Sequence, residues 1–383
     1  MKLEKLFSPG KIGNVEIKNR ILRSATFTNT GTNQGTPGEK SIEFYEELAK
    51  GGAGLIITGI TSIDQVGKNA PGQFCLDNDS QIGDHKKFVQ SIHDLDAKIA
   101  PQLSHAGRQS FNPKFDPVAP SPVLNAMSKK TPKQLTIDQI EEIVANFAEA
   151  TRRAYESDYD MVQFNAAHGW LLCNFLSPYT NKRTDAYGGN TENRTRILVD
   201  IYNQARDKVG KDFPLFLKLQ TKDYFPEGIA LDEGKEIAKI AVDTGYDALE
   251  ISGGSVELII KKLDPYPSLV VKSPEQENYF LPNIQEVKSV LKDIPVILMG
   301  GVRNPESAEN ILRDKQADFI ALSRPLIHEP GLPNRWKNGD LSPPLCVSCN
   351  QCFTTIMSGA VHCVVKKKAE KRKAREAKKK AQQ

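Results

Sequence analysis

Long apolar runs are missing from this chain of 383 residues. No stretch of about 18 apolar residues, the length that a membrane-spanning helix needs, occurs anywhere in it. The first six residues include two lysines and a glutamate, where a signal peptide would have an apolar segment. The sequence therefore predicts no membrane span, and we expect a cytoplasmic protein.

Cysteine is scarce as well. The chain has six cysteines, and so few in a long intracellular sequence argue for metal or redox use rather than for a disulfide scaffold. Two of them, Cys75 and Cys173, stand alone. The other four lie close together, at Cys346, Cys349, Cys352 and Cys363. Four thiolates at this spacing suit an iron–sulfur cluster or a tetrahedral zinc, and uncoordinated thiols are the third interpretation.

A large excess of one charge is absent from most of the chain. Residues 366–383 contain ten Lys or Arg and two Glu, a net charge of +8, so residues 1–365 carry −4 of the total of +4. The main part is therefore mildly acidic, and no specific nucleic-acid partner is indicated. We expect the basic tail to be solvated and disordered, although an acidic partner, RNA or a membrane surface could bind it.

Short apolar runs alternate with amphipathic helical segments over most of the chain, as in strands that are buried on both faces. No GxGxxG follows the first strand, which disfavours a Rossmann unit. Eight strands with helices between them favour a closed (β/α)₈ TIM barrel, an α/β fold. We expect the barrel in residues 1–340, a cysteine-rich extension in 341–365 and the basic tail in 366–383. The predicted strands are 21–27, 55–61, 99–103, 161–165, 215–220, 248–252, 296–300 and 319–323.

The ends of the seventh and eighth predicted strands indicate a phosphate site. Gly300 and Gly301 end the seventh strand, and Ser323 and Arg324 end the eighth, the two positions where such barrels commonly bind a phosphate. Glycines expose backbone N–H groups, and Arg324 offers a bidentate charged donor.

Motifs in a fixed order resemble the old yellow enzyme family of flavin-dependent reductases across roughly residues 3–340. The segment that begins at Val162 and contains Asn165 and His168 carries most of this resemblance. The full set of matching segments is 6–9, 18–21, 102–108, 162–189, 300–302 and 323–326. The resemblance implies FMN as cofactor and NAD(P)H as co-substrate. It also implies a small-molecule acceptor, an electron-poor alkene such as an α,β-unsaturated carbonyl.

The resemblance also implies roles for particular residues. Asn165 and His168 would grip the substrate carbonyl, because two aimed donors stabilise the negative charge that forms on its oxygen when hydride reaches Cβ. The phosphate that Gly300, Gly301, Ser323 and Arg324 bind would be that of FMN. The flavin ring would contact Ser24, Ala25, Thr26, Phe27, Gln102 at the pyrimidine edge, and Lys218 beside N1 and C2=O. A cation at Lys218, where the family usually has Arg, stabilises the anionic reduced flavin.

Three departures from the family pattern stand out. Trp170 occupies the position of the usual proton-donating Tyr. Either the proton comes from water or another Tyr, or the protein does not complete trans-hydrogenation in the usual way. Phe27 replaces a Cys or Thr that often tunes the flavin. The cysteine cluster resembles the iron–sulfur segment of 2,4-dienoyl-CoA reductase-like members, with one residue fewer between Cys349 and Cys352.

The sequence leaves open both the source of the electrons and the class of protein. Either NAD(P)H reduces FMN directly, or a redox partner protein supplies electrons through a [4Fe–4S] cluster, with zinc as the alternative metal. We expect an FMN-dependent NAD(P)H oxidoreductase. The other hypotheses are a flavin and iron–sulfur electron-transfer component, and a barrel that binds a phosphorylated metabolite.

Overall fold

The structure is a computed structural model that describes residues 2–264, 267–291 and 293–380. Its centre is a closed barrel of eight parallel strands, in which the first strand pairs with both the second and the eighth. The barrel strands are β1 Ile21–Arg23, β2 Leu55–Ser62, β3 Lys98–Ser104, β4 Val162–Ala166, β5 Leu215–Gln220, β6 Leu249–Ser252, β7 Val296–Leu298 and β8 Phe319–Leu322. The predicted (β/α)₈ barrel is thereby confirmed.

Amphipathic helices follow the first seven strands and cover the outside of the barrel. They are α1 Glu39–Lys50, α2 Ile82–His93, α3 Ile137–Glu156, α4 Thr191–Val209, α5 Leu231–Thr244, α6 Leu281–Lys288 and α7 Pro305–Arg313. The start of α3 is fixed by a capping box, in which Thr136 Oγ1 accepts from the backbone N–H of Gln139 at 3.2 Å and Gln139 Oε1 accepts from that of Thr136 at 3.0 Å. Its buried stripe, which includes Ile140, Val144 and Phe147, packs on the barrel core.

Shorter elements close the two ends of the barrel. An antiparallel hairpin of Gly10–Ile12 and Val15–Ile17 packs Ile12 and Ile17 against the apolar residues at the bottom of the barrel interior. Short strands lie at Phe74–Cys75, Val118–Ala119 and Lys133–Gln134. Short helices lie at Asp79–Gln81, Gly107–Gln109, Leu171–Leu176, Val256–Ile260, Pro274–Gln276, Arg324–His328, Leu332–Lys337 and Cys352–Thr355.

The barrel interior changes from apolar to polar towards the carboxyl ends of the strands. Side chains two residues apart on a strand point to the same face. On β5, apolar Phe216 is followed by Lys218 and then by Gln220, and all three are buried. The same change from an apolar to a polar side chain occurs on or beside β1, β3, β4 and β6. The pairs are Leu22 and Ser24, Ala100 and Gln102, Met161 and Gln163, and Ala248 and Glu250. We call Ser24, Gln102, Gln163, Lys218 and Glu250 the polar layer.

Two long loops, after β3 and after β6, are joined by a buried ion pair. Arg108 is 1% exposed, and its Nη1 donates to Oε1 of Glu257 on the short helix after β6. Its Nη2 donates to the carbonyl oxygen of Leu124 in the loop after β3, at 2.6 Å. Since breaking a buried pair leaves an uncompensated charge, this contact holds the two loops together.

The C-terminal segment returns to the barrel and then leaves it. The backbone N–H of Val361 donates to the carbonyl of Thr28 at 2.8 Å, and Asn29 Nδ2 donates to the carbonyl of Ile356 at 2.8 Å. The basic tail differs from the predicted disorder, because Val364–Lys380 is a helix without any buried residue. Its Lys, Arg, Ala and Glu are strong helix formers, so that no packing is needed to explain it. Within the described ranges, no helix has the length and apolar character of a membrane span.

Candidate active site

A cavity of about 590 Å³ opens at the carboxyl ends of the barrel strands. The twelve residues predicted for the substrate and the cofactor all line it, including His168 and Arg324, from distant parts of the chain. They are Ser24, Ala25, Thr26, Phe27, Gln102, Asn165, His168, Lys218, Gly300, Gly301, Ser323 and Arg324. The four predicted metal-binding cysteines are not among the lining residues.

Asn165 and His168 lie at the end of β4, where the backbone turns sharply. His168 has a φ of 59°, in the left-handed region, and its backbone N–H donates to Oε1 of Gln220 at 2.7 Å. Its Nε2 lies 2.6 Å from Oγ of Ser252, and Asn165 Nδ2 donates to Oγ of Ser104 at 3.4 Å. Side chains from β3, β5 and β6 therefore orient the pair, and the strain at His168 is of the kind found at functional sites.

The imidazole of His168 is held neutral. Burial and, as the smaller cause, the nearby Lys218 together lower the pKa of His168 to about 3. Near neutral pH the ring therefore carries one proton, and it can donate one hydrogen bond without carrying charge.

This depressed pKa predicts a pH dependence of stability. Because the pKa of His168 is about 3 in the folded state and about 6.5 in the unfolded chain, the unfolded state binds more protons between these values. The free energy of unfolding therefore falls as the pH drops from 6.5, by at most about 1.4 kcal/mol per pH unit from this residue. Urea unfolding at pH 7, 6 and 5 measures the slope, and we expect it to be shallower in His168→Asn. Equal slopes in the two proteins would contradict the assignment.

Hydrogen bonds connect all five side chains of the polar layer. Lys218 Nζ donates to Ser24 Oγ at 2.9 Å and lies 3.3 Å from Oε1 of Glu250. Gln102 Nε2 donates to Oε1 of Gln163 at 2.6 Å, and Gln163 Nε2 donates to Oε2 of Glu250 at 2.7 Å. Gln163 and Glu250 were not predicted. The available signal was Glu250 and Ser252 on β6, two polar residues that alternate with apolar Leu249 and Ile251.

The other end of the cavity suits a phosphate group. Gly300 and Gly301 have φ of 102° and 77°, and a Cβ on either would stand 2.6 to 2.8 Å from the rings of Phe280 or Tyr279. Only glycine fits there, because a side chain would meet these rings and because both φ angles lie in the left-handed region. Arg324 donates to the carbonyl of Leu269 at 2.9 Å, and it has no carboxylate partner among the described residues. A cation beside open backbone N–H groups fits the phosphate of FMN.

Sequence reasoning missed the C-terminal contribution to this end of the cavity. Ser348, Asn350 and Phe353, from the predicted cysteine-rich extension, line the cavity together with Arg303. Asn350 Oδ1 accepts from Arg324 at 2.5 Å, and Arg303 Nη1 donates to the carbonyl of Cys346 at 2.5 Å. These contacts could not be predicted, because they depend on how residues 344–350 dock on the barrel.

The four clustered cysteines do not form a ligand set in the structure. Cys346 is buried, Cys349 is exposed, and Cys363 Sγ lies 3.2 Å from Nδ1 of His328. Over residues 2–264, 267–291 and 293–380, no three His, Cys, Asp or Glu side chains are grouped as metal ligands. The iron–sulfur or zinc site stays a prediction from spacing, which iron, zinc and acid-labile sulfide analysis tests.

The aromatic departures also line the cavity. Trp170 and Phe27 are both part of its wall. Tyr279 is the one tyrosine lining the cavity in the described part of the chain, and it stands beside Gly300 and Gly301, at the phosphate end. It therefore does not take the place of the family's Tyr next to His168.

The site combines a phosphate-type site at β7 and β8 with two aimed donors at β4 of an eight-stranded barrel. This combination is typical of a class of enzymes that bind a phosphorylated cofactor at the carboxyl ends of the barrel strands. A profile of the NADH:flavin oxidoreductase / NADH oxidase family matches residues 5–341, and the chain belongs to this family. The predicted membership of the old yellow enzyme family is confirmed, and this family is FMN-dependent and uses NAD(P)H.

Three similar proteins show how much of the chain the relationship covers. An NADH oxidase from Thermoanaerobacter brockii is 37% identical over 350 residues, which are 90% of this chain and 52% of that protein. An NADPH dehydrogenase from Bacillus cytotoxicus is 32% identical over 334 residues, 87% of this chain and 92% of that one. The structure of an old yellow enzyme homologue from Zymomonas mobilis superposes with a TM-score of 0.73 at 28% identity, over 90% of this chain and 96% of its own. The chain spans about half the length of the NADH oxidase.

Proposed function

We propose that the protein is an FMN-dependent oxidoreductase that passes hydride from NAD(P)H to an electron-poor alkene conjugated to a carbonyl group. One observation supports this most strongly: a single cavity has a phosphate-type site at Gly300, Gly301 and Arg324 and an aimed pair of donors at Asn165 and His168. Bound FMN would supply the two-electron chemistry that no side chain of the cavity can supply.

The chain's own contribution is to hold the acceptor by its carbonyl oxygen. Asn165 donates as a neutral amide and His168 as a neutral imidazole. We infer that Ser252 donates to Nε2 of His168, so that Nδ1 carries the hydrogen and donates a hydrogen bond to the substrate oxygen. Donors that are already oriented need no rearrangement as negative charge develops on that oxygen, and this is the source of the rate enhancement.

In this proposal, solvent supplies the proton that Cα of the acceptor takes up after hydride has reached Cβ. Trp170 replaces the usual Tyr, and an indole N–H is a donor that does not ionise near neutral pH. Tyr279 stands at the phosphate end, and the mouth of the cavity is open to water. Met127 and Ile259, which are 49% and 62% exposed, stand at the rim, one from each long loop. They offer apolar surface to the part of the acceptor beyond its carbonyl.

Enone reduction tests the proposal directly. Protein purified with added FMN should be yellow, and it should oxidise NADH or NADPH with cyclohexenone as acceptor. Because both substrates would use one pocket in turn, we expect ping-pong kinetics. A colourless protein after reconstitution with FMN would overturn the proposal.

The phosphate end gives a second test, on binding alone. Arg324→Ala removes a charge-assisted contact, which is typically worth about 1.5–3 kcal/mol, so the Kd for FMN should rise roughly 10- to 100-fold. Riboflavin, which lacks the phosphate, should lose little affinity. Fluorescence titration of the apoprotein measures both ligands.

A surface variant serves as the control for Arg324. Arg313→Ala removes a guanidinium from α7 whose side chain is 56% exposed and outside the cavity. It should bind FMN as the unmodified protein does. Equal weakening of FMN and riboflavin in Arg324→Ala would show that this residue does not hold the phosphate.

A further inference from the structure

Glu250 is a buried carboxylate to which the proposed function assigns no role. It lies on β6 inside the barrel and is 0% exposed. Its Oε1 accepts from Ser24 Oγ at 2.5 Å and lies 3.3 Å from Nζ of Lys218, and its Oε2 accepts from Gln163 Nε2 at 2.7 Å. A buried charge is costly unless it is paired and hydrogen-bonded, and here both oxygens of the carboxylate have partners.

A carboxylate can only accept hydrogen bonds, so it fixes the direction of the hydrogen bonds around it. Gln163 must turn its NH₂ group towards Glu250, which leaves Oε1 of Gln163 to accept from Gln102 Nε2, at 2.6 Å. Gln102 is thereby left with its own Oε1 and one N–H for a ligand. Because an amide side chain can be flipped end for end, nothing else in this series of bonds sets the direction.

The same carboxylate holds the cation of the layer. Ser24 gives its hydroxyl hydrogen to Glu250, so its oxygen is free to accept from Lys218 Nζ, at 2.9 Å. Lys218 thus has two fixed partners and a third N–H to spare. Arg23, at the end of β1, is a second buried cation; its Nη1 donates to the carbonyl of Ser323 at 2.5 Å, and its Nη2 has no partner among the described residues.

Within the polar layer, Lys218 is paired with the carboxylate of Glu250. Arg23 is a second buried cation whose charge acts on Lys218, but it does not line the cavity. Burial lowers the pKa of Arg23 to about 10 and lowers that of Lys218, while Glu250 opposes the effect at Lys218. Lys218 lines the cavity, so its remaining N–H is available as a donor to an electron-rich ring.

We propose that Glu250 is a positioning residue, which through Gln163 turns Gln102 so that it presents its carbonyl oxygen, and through Ser24 holds Lys218, towards the polar edge of the bound flavin. The proposal rests on the proposed function, since it needs FMN in the cavity. Glu250 does not touch the ligand itself. It sets which atoms of two other side chains meet a ring edge that carries both donors and acceptors.

The decisive experiment compares Glu250→Gln with a swap variant. In Glu250→Gln, the new amide keeps its oxygen towards Ser24 and Lys218 and turns its NH₂ group towards Gln163. Gln163 and then Gln102 flip, and an NH₂ group replaces the carbonyl oxygen that faced the ligand. A mismatched donor pair should weaken FMN binding roughly 10- to 100-fold. The C2=O stretching band of bound flavin should also shift.

The swap variant Glu250→Gln/Gln163→Glu moves the carboxylate one position along the series of bonds. The carboxylate on β4 then accepts both from the new amide on β6 and from Gln102, so Gln102 recovers its original direction while the net charge is unchanged. We expect the Kd for FMN and the C2=O band to return close to the original values. If Glu250→Gln does not fold, the swap alone decides: near-original affinity supports the proposal, and weakened affinity contradicts it.

Glu309→Gln is the matched control. Glu309 is also a buried carboxylate, 3% exposed, but it accepts from the backbone N–H groups of Lys5 and Leu6 and is outside the cavity. Its change should affect the free energy of unfolding and leave the flavin band in place. Failure of the unmodified protein to bind FMN would overturn the proposed function. Normal FMN binding with no difference between Glu250→Gln and Glu309→Gln would overturn only this inference.

Discussion

Replacing both Asn165 and His168 with alanine should reduce kcat/KM for enone reduction by at least about 10³-fold, since one oxyanion donor typically contributes 10²–10³. The two donors act on one oxygen, so their effects need not multiply. FMN should stay bound, because neither residue is part of the phosphate end. Stopped-flow measurement of flavin reoxidation by cyclohexenone, after reduction with NAD(P)H, isolates the affected step.

Two controls show whether the loss of activity is specific to the reaction with the enone and to the residues of the cavity. Dithionite-reduced flavin should still react with oxygen in the double variant, because that reaction does not need hydrogen bonds to a carbonyl oxygen. His93→Asn removes a histidine of α2 that pairs with Asp160 at 2.8 Å and does not line the cavity, and it should keep full activity. Unchanged turnover of the enone by the double variant would assign the pair another role.

Changing Lys218 to methionine should lower both the flavin midpoint potential and the stability of the protein. A unit charge at about 4 Å is worth on the order of 4 kcal/mol at an effective dielectric constant of about 20. For a two-electron couple this corresponds to roughly 90 mV as an upper value. The variant also leaves Glu250 without its cation, and breaking a buried pair typically costs about 3–5 kcal/mol. Spectroelectrochemistry and urea unfolding measure the two effects.

A double variant separates two effects of Lys218→Met: the loss of a positive charge and the loss of the partner of Glu250. In Lys218→Met/Glu250→Gln the unpaired carboxylate is gone, so much of the stability and part of the potential should return. Lys222→Met, which removes a lysine that stacks on Tyr224 and does not line the cavity, is the matched control. An unaltered potential in Lys218→Met would place Lys218 away from the flavin ring.

The sequence predicted the barrel well because its strands are buried on both faces. The predicted strand 215–220 coincides with β5, whereas the predicted first strand, 21–27, is a strand only to Arg23. Ser24 makes the last bond to β8, from its N–H to the carbonyl of Leu322 at 3.0 Å, and the pairing ends there. Residues from Ser24 to Phe27 are apolar or small enough to look like strand, but their backbone lines the cavity. The end of β1 is therefore set by the cavity and not by the strand propensity of the residues that follow Arg23.

The candidate site could be predicted only where a strand end or a family motif marks it. Asn165, His168 and the glycines at β7 have such marks. Glu250 and Gln163 do not, because alternation along a strand does not show which face lies inside the barrel. Ser348 and Asn350 follow no strand at all, and their place in the cavity wall depends on long-range docking.

Arg303 and Arg324 each contact both the C-terminal segment and the cavity. Each donates to backbone carbonyls between residues 344 and 350, and each lines the cavity. Occupancy of the cavity and attachment of the C-terminal segment are therefore linked equilibria that share the same guanidinium groups. Thermodynamic reciprocity then requires that, if a ligand tightens the attachment, the attached segment tightens the ligand by the same factor.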